Sequence, residues 1–263
     1  MGLNIYLIKI VYFLIHFVYI ISFLEYNIYY IMTHIRLCDY TASVKLRSMY
    51  SYLGCDLMNV LLINGSPHKE GCTYTALYEV AKELNKEQID TNIVHIGTKP
   101  VAGCIDCGKC IQTGYCVFDD DPVNECVNLM KESDGLVVGS PVYYAGPNGA
   151  LCSFLDRMFY RKSKFYEYKP AAAVVNCRRG GASASFDRLN KYFTISNMPV
   201  VSSQYWNSTH GFIPEETLQD VEGLQTMRTL GRNMAWLIKC ISYSKEKYPH
   251  PIREPQIMTN FIK

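Results

Sequence analysis

The stretch MNVLLINGSPHKEGCTYT, residues 58–75, decides the fold of this chain. Its first seven residues, 58–64, form a short apolar run that ends at Gly65-Ser66-Pro67, as in a strand buried on both faces of a parallel sheet. A helix is predicted next, because apolar residues recur at the i, i+3, i+4, i+7 spacing; they are Leu77, Val80, Ala81 and Leu84. A buried strand, a glycine turn and an amphipathic helix are the first unit of an α/β fold.

The same alternation continues to the C-terminus. Four further strands are predicted at residues 92–96, 135–139, 171–175 and 200–203, with helical patterns between the later ones. The last helix is predicted to begin at Pro214 and to run to about Ser242. Right-handed crossovers then favour a five-stranded parallel sheet with helices on both faces, which is a three-layer α/β sandwich.

Residues 65–75 form a predicted phosphate-binding turn. In open parallel sheets, ligands bind beyond the carboxyl ends of the strands, and a helix N-terminus offers backbone N–H groups to an anion. The turn has neither the G-x-G-x-x-G pattern nor a G-K-[ST] ending, which favours a monophosphate over a dinucleotide or a nucleoside triphosphate. The alternative is a helix start capped by hydroxyl side chains, without a ligand.

Three more loops are predicted at the same edge of the sheet, at residues 140–149, 177–181 and 204–211. The first contains Tyr143 and Tyr144 among prolines and glycines, a composition that can frame a flat and partly apolar ring. Alternatively, these tyrosines only cover the core and keep their hydroxyls in water.

The most specific motif is Cys104-x2-Cys107-x2-Cys110-x5-Cys116, in the loop after the second predicted strand. Its first two spacings are those of bacterial ferredoxins, and four thiolates so close in sequence can hold a [4Fe-4S] cluster. Two alternatives remain open: a zinc site, and thiols that bind no metal, including a redox dithiol. Apart from Cys72 in the predicted phosphate-binding turn, the remaining six cysteines are expected to be small buried side chains; they are Cys38, Cys55, Cys126, Cys152, Cys177 and Cys240.

Taken together, these motifs resemble the NADPH-dependent FMN reductase and iron-sulfur flavoprotein family, whose members are flavodoxin-like. The resemblance rests on Gly65-Ser66-Pro67 with Gly71 and Thr73, on Ser140-Pro141-Val142-Tyr143 leading to Phe154-Leu155-Asp156-Arg157, and on Ser203-Gln204-Tyr205-Trp206-Asn207, and it covers residues 58–263. It implies a flavodoxin-like sandwich that binds FMN. Many relatives have Arg in place of His68 and Asn in place of Cys72, which weakens the side-chain contribution to phosphate binding.

The resemblance also implies which residues bind each cofactor. The FMN phosphate is expected at Ser66, His68, Gly71, Cys72, Thr73 and Thr75, and the isoalloxazine at Pro141, Val142, Tyr143 and Tyr144, with Gly180 and Gly181 beside it. The metal ligands are expected to be Cys104, Cys107, Cys110 and Cys116. No catalytic side chain is named, because the flavin carries the chemistry.

Three functions are compatible with these motifs. The first is an electron-transfer flavoenzyme with FMN and a [4Fe-4S] cluster. The second is a plain NAD(P)H-dependent FMN or quinone reductase without a cluster, and the third is a flavin-binding redox sensor. The expected partners are NAD(P)H or ferredoxin as electron donor, a small-molecule acceptor, and further copies of the chain that meet near Tyr205 and Trp206.

Residues 1–57 differ from the rest of the chain. Residues 2–24 are nearly all apolar and are long enough for a membrane helix, which would leave the flavin domain in the cytoplasm. The alternatives are an upstream extension from a wrongly assigned start codon and a core or interface helix. A net charge of +2 without a basic run gives no reason to expect a nucleic-acid partner. The predicted domains are therefore a hydrophobic N-terminal extension, 1–57, and an FMN domain, 58–263, with its cysteine-rich loop at 104–116.

Overall fold

A computed structural model describes residues 58–160 and 165–255, together with residues 257 and 259. The predicted N-terminal extension and its membrane segment at 2–24 lie outside these residues. None of the helices in the described ranges is long and apolar enough to cross a membrane. The elements are β1 Asn59–Asn64, α1 Cys72–Lys86, β2 Asp90–His95, α2 Lys109–Thr113, α3 Val123–Glu132, β3 Gly135–Tyr143, β4 Gly146–Pro147, α4 Gly149–Phe159, β5 Ala171–Cys177, α5 Ala182–Ile195, β6 Ser208–His210, α6 Pro214–Gln219 and α7 Val221–Ser244.

Five strands form one parallel sheet in the order β2-β1-β3-β5-β6. This is the strand order of flavodoxin-like doubly wound folds, so the predicted fold class is confirmed. The short strand β4 is additional, and it pairs only with the end of β3, in antiparallel orientation.

Two strands differ from the prediction. The third strand does not end at Gly139 but continues to Tyr143, because Val142 and Tyr143 pair with Pro147 and Gly146 of β4. The edge strand is β6 at Ser208–His210, and the strand predicted at 200–203 is wrong, because Val200 makes a single bridge to Ala171. Between Val200 and β6 the chain bends, and the Ser203 hydroxyl holds the bend by donating to the Tyr205 carbonyl.

The single long C-terminal helix predicted from Pro214 is two helices, α6 and α7. Pro214 begins α6, as predicted. The break lies at Asp220, whose carboxylate accepts hydrogen bonds from the backbone N–H groups of His210, at 2.6 Å, and Gly223, at 2.9 Å. Asp220 therefore caps α7 and ties it to the end of β6.

Apolar side chains alternate across the sheet and fill two cores. Leu61 and Ile63 of β1 point into the core formed with α3, α4 and α5. Val60 and Leu62 point into the opposite core, formed with α1 and α7. All four are fully buried, as the apolar run at residues 58–64 predicts.

Helices α1 and α7 are joined by close packing and by ion pairs. A side chain at Gly231 would lie 2.9 Å from the Val80 carbonyl, so this glycine permits the close approach. Next to it, the buried Glu83 carboxylate accepts hydrogen bonds from Arg232, at 2.8 Å, and from Lys86, at 2.5 Å. Burial raises the pKa of Glu83, but these two cations outweigh burial and hold the pKa below its ordinary value of 4.5.

Glu83→Gln is expected to lower the free energy of unfolding at neutral pH by about 1–2 kcal/mol, because it removes a buried carboxylate from two charged donors. Since the folded-state pKa is the lower one, the contribution is complete above the unfolded-state pKa and disappears as the pH falls through the folded-state pKa. Urea unfolding of both proteins between pH 7 and pH 3 measures the difference.

The matched control is Glu87→Gln, because the half-exposed Glu87 pairs with Lys239 and exposed pairs contribute about 0–1 kcal/mol. An equal effect of the two substitutions, or a Glu83→Gln effect that does not become smaller as the pH falls from 7 to 3, would contradict this assignment.

Candidate functional site

The carboxyl ends of β1, β3, β5 and β6 lie at one edge of the sheet because these strands are parallel. Three of the four predicted ligand loops lie at the ends of β1, β3 and β5, whereas the fourth, residues 204–211, contains β6 itself. The parallel arrangement therefore places the loops after residues 64, 143 and 177 on the edge where α/β folds bind their ligands.

Asn64, the last residue of β1, organises the predicted phosphate-binding turn. Its side chain is fully buried; it accepts a hydrogen bond from the Ser66 N–H at 3.0 Å and donates to the Lys69 carbonyl at 3.0 Å. Ser66 in turn accepts from the His68 N–H at 3.1 Å. The side chain of His68 is exposed. Asn64 is not among the predicted site residues.

The turn ends at the N-terminus of α1, which no side chain caps. Gly71 is the N-cap residue, Cys72 is half-buried and Thr73 is buried. The Thr75 hydroxyl donates back to the Gly71 carbonyl at 3.3 Å. An uncapped helix N-terminus presents its first backbone N–H groups to a ligand, so this turn fits a phosphate group.

The predicted ring-binding residues form a β-hairpin. Tyr144 and Ala145 are its two-residue turn, and both have left-handed backbone angles, with φ of 50° and 58°. Such a turn suits the twist of a hairpin but favours glycine or asparagine over tyrosine. Tyr144 is fully exposed at the tip, Tyr143 is about half-exposed at 45%, and Pro141 and Val142 are partly buried.

Gly181 brings a second loop against this hairpin. Its φ is +91°, and a side chain there would lie 2.8 Å from Cα of Ala145 and 2.9 Å from the Val142 side chain. The loops at residues 140–149 and 177–181 are therefore in contact. Gly180 lies at the exposed tip of the second loop.

Asn148 connects the hairpin to the phosphate-binding turn. Its side chain donates to the Gly65 carbonyl at 2.7 Å and accepts from the Ala150 N–H at 3.0 Å, so it also caps α4. Its backbone N–H donates to the Ser140 hydroxyl at 3.0 Å. Asn148 is not among the predicted site residues, although asparagine before a helical pattern is a recognised cap signal.

The four motif cysteines line one cavity on the surface of the protein; the cavity is also lined by Ile105, Gly108, Val117, Phe118, Arg157 and Tyr160. Left-handed backbone angles at Asp106, Gly108 and Gly114 turn the loop tightly. Cys104 and Cys107 are exposed, whereas Cys110 and Cys116 are half-buried. The thiol donor set fits an iron-sulfur or zinc centre, but no three His, Cys, Asp or Glu side chains in the described ranges converge closely enough to hold a metal ion.

Arg157 of α4 contacts this cavity. Its guanidinium donates to Sγ of Cys116 at 3.1 Å and makes a two-pronged ion pair with Asp121. Burial lowers the pKa of Arg157, but Asp121 and Cys116 outweigh burial and raise it, so the group stays charged. Asp121 also accepts from the Val123 N–H at 3.1 Å, at the start of α3.

Apart from Cys72, the described cysteines outside the motif divide into two groups. Cys126 and Cys177 are buried, as expected of small core side chains, and burial raises the pKa of both thiols. Cys152 and Cys240 are only half-buried. Cys38 and Cys55 lie outside the described residues.

Comparison with known proteins identifies the family of this chain. The sequence profile of the NADPH-dependent FMN reductase family matches residues 58–212. An iron-sulfur flavoprotein of Methanocaldococcus jannaschii is 33% identical over 192 residues, which cover 70% of this chain and 99% of the relative. An iron-sulfur flavoprotein of Methanosarcina thermophila is 31% identical over 200 residues, which cover 72% of this chain and all of the relative.

The fold is also similar to that of solved structures. RosB, crystallised with 8-demethyl-8-formylriboflavin-5'-phosphate, superposes with a TM-score of 0.54 over 78% of this chain and 96% of its own. At 15% identity, this similarity concerns the fold alone.

Gly181→Ala is expected to weaken flavin binding, because a side chain at this left-handed position costs about 1–2 kcal/mol and displaces the hairpin at Ala145. Binding FMN requires the hairpin to return to its original position, and supplying that cost corresponds to about tenfold in affinity. Fluorescence titration of the flavin-free protein with FMN measures the change. The control is Gly149→Ala, because nothing lies within 4 Å of a side chain added there. An FMN affinity that is the same in both variants would contradict the contact between the two loops.

Proposed function

Because this chain belongs to the NADPH-dependent FMN reductase family and is thus an FMN-dependent flavoprotein oxidoreductase, we propose that it is an electron-transfer flavoenzyme with a [4Fe-4S] cluster. The ligands of the cluster are Cys104, Cys107, Cys110 and Cys116. When bound, FMN supplies hydride or single-electron transfer and the cluster supplies single-electron transfer.

The observation that carries this proposal is the one cavity that all four cysteines line. Soft thiolates suit iron-sulfur centres, and four of them within 13 residues match the four ligands of a cubane cluster. The matched relatives in Methanocaldococcus jannaschii and Methanosarcina thermophila are named iron-sulfur flavoproteins, which supports the same assignment here.

The FMN site is proposed at the three loops that lie at the ends of β1, β3 and β5. The Ser66 and Thr73 hydroxyls, the exposed His68 side chain and the backbone N–H groups of Cys72 and Thr73 hold the phosphate, with Gly71 at the helix N-terminus, which no side chain caps. Asn64 shapes the turn, and the Ser66 hydroxyl accepts from the His68 N–H. Thr75 supports this site indirectly, because its hydroxyl and its backbone N–H both donate to the Gly71 carbonyl and so hold the first turn of α1 in place. The ring system lies along the hairpin, with Pro141, Val142, Tyr143 and Tyr144 on one side and Gly180 and Gly181 on the other.

The electron donor is proposed to be NAD(P)H, as the family name indicates, or a ferredoxin, and the acceptor a small molecule. Homo-oligomerisation is proposed through the exposed ring pair of Tyr205 and Trp206, whose centroids are 5.1 Å apart. The proposed flavin domain is residues 58–263, and the family match begins at its first residue.

Anaerobically purified protein is expected to contain about four iron and four sulfide per chain, with broad absorbance beneath the flavin bands. Cys110→Ala should lose the iron and keep the FMN, because its loop is separate from the flavin loops. Metal analysis, sulfide assay and flavin release measure the three contents. Cys240→Ala is the control, since this half-buried cysteine lies on α7, outside the motif, and both cofactors should remain.

Two results would contradict the cluster. The first is stoichiometric zinc in place of iron. The second is metal-free protein whose NAD(P)H-dependent reduction of flavin or quinone is unchanged by Cys110→Ala, which would identify a plain reductase.

A further inference from the structure

Arg157 uses every hydrogen-bond donor of its guanidinium although its side chain is fully buried. Nε donates to Cys116 Sγ at 3.1 Å; Nη1 donates to the Ala102 carbonyl at 3.2 Å and to Asp121; Nη2 donates to the Phe118 carbonyl at 3.0 Å and to Asp121 at 3.2 Å. An arginine has five N–H donors, and each has an acceptor here.

These acceptors enclose the cysteine motif. Ala102 precedes the first motif cysteine, Cys116 is the last, and Phe118 and Asp121 follow it. The guanidinium therefore joins the start and the end of the loop at one point on the rigid helix α4. Asp121, whose side chain is 5% exposed, balances the buried charge.

An ion pair with Asp121 alone would account for burying Arg157, but it would not aim Nε at a sulfur atom. Hydrogen bonds to ligand sulfurs and nearby charge are among the factors that set iron-sulfur reduction potentials. A donor on a thiolate sulfur favours the more negative, reduced form and so raises the potential.

The same end of α4 holds the loop at a second place. The Tyr160 hydroxyl donates to the carboxylate of Asp106, which lies between Cys104 and Cys107. Both Arg157 and Tyr160 line the cavity of the four cysteines. The last turn of α4 thus contacts the loop at the first pair of cysteines and at the fourth.

We propose that Arg157 is a positioning residue that holds Cys116 in place for metal binding and, through its N–H···S hydrogen bond, raises the reduction potential of the centre. This inference rests on the proposed cluster. Lysine cannot replace Arg157, because an ammonium group lacks the planar fork that reaches Cys116, Asp121 and the two carbonyls together.

The test compares the full-length, iron-loaded protein with two variants prepared without oxygen. Arg157→Met combined with Asp121→Asn removes both buried charges, so the local net charge is unchanged and a shift in potential does not come from a lost charge. Arg157→Lys keeps the charge and loses the fork. Redox titration measures the reduction potential of the cluster, and the rate of iron release to a chelator measures how firmly the iron is held. The FMN content of each variant shows whether its fold is intact.

The double variant is expected to have a more negative cluster potential than wild type, and both variants should release iron severalfold faster while FMN content stays at the wild-type level. The control is Arg188→Met, which removes a half-exposed arginine on α5 and should change neither value.

Wild-type protein without iron would disprove the proposed function and this inference with it. If the wild type holds iron, but both variants have its cluster potential and its rate of iron release, the inference alone is overturned. Loss of FMN together with iron in both variants would also overturn it, since Arg157 would then serve only to hold the fold together.

Discussion

The close approach of β1 and β3 at their carboxyl ends is the constraint on which both sites depend. Gly65 donates its backbone N–H to the Gly139 carbonyl at 2.9 Å. A side chain at Gly65 would meet Leu151 at 2.5 Å, and one at Gly139 would meet Leu77 at 2.7 Å. Because neither position has a side chain, α1 and α4 can pack against the strand ends, and both the uncapped N-terminus of α1 and the cap of α4 then face the same edge.

Helix α4 connects this strand edge to the cavity of the four cysteines. Its cap residue, Asn148, binds the phosphate turn through the Gly65 carbonyl, and Arg157 in its last turn binds Cys116. At 1.5 Å per residue, the two positions are about 14 Å apart along the helix. Leu151, Phe154, Leu155 and Met158 bury the intervening face in the core, which makes the helix a rigid spacer between the proposed cofactors.

The sequence predicts the elements that are governed by burial and misses those governed by polar contacts. Residues 58–64 are apolar because β1 is covered on both faces, so the strand and the fold class follow from periodicity. The edge strand β6 has the sequence STH and is held by Thr209, whose hydroxyl accepts from Asn176 at 3.0 Å, so no apolar pattern reveals it. Arg157 belongs to the Phe154-Leu155-Asp156-Arg157 motif on which the family resemblance rests. Its hydrogen bond to the Ala102 carbonyl joins residues 55 positions apart, and local sequence spacing cannot predict such a contact.

The central claim is that the edge beyond β1 binds FMN through its phosphate at the N-terminus of α1. Comparing the affinities of the flavin-free protein for FMN and for riboflavin tests this claim most directly, because the two ligands differ only in the phosphate. We predict that riboflavin binds at least tenfold more weakly, the equivalent of about 1.4 kcal/mol, and that replacing the Thr73 hydroxyl by Thr73→Val reduces this difference. Equal affinities for the two flavins would contradict the account.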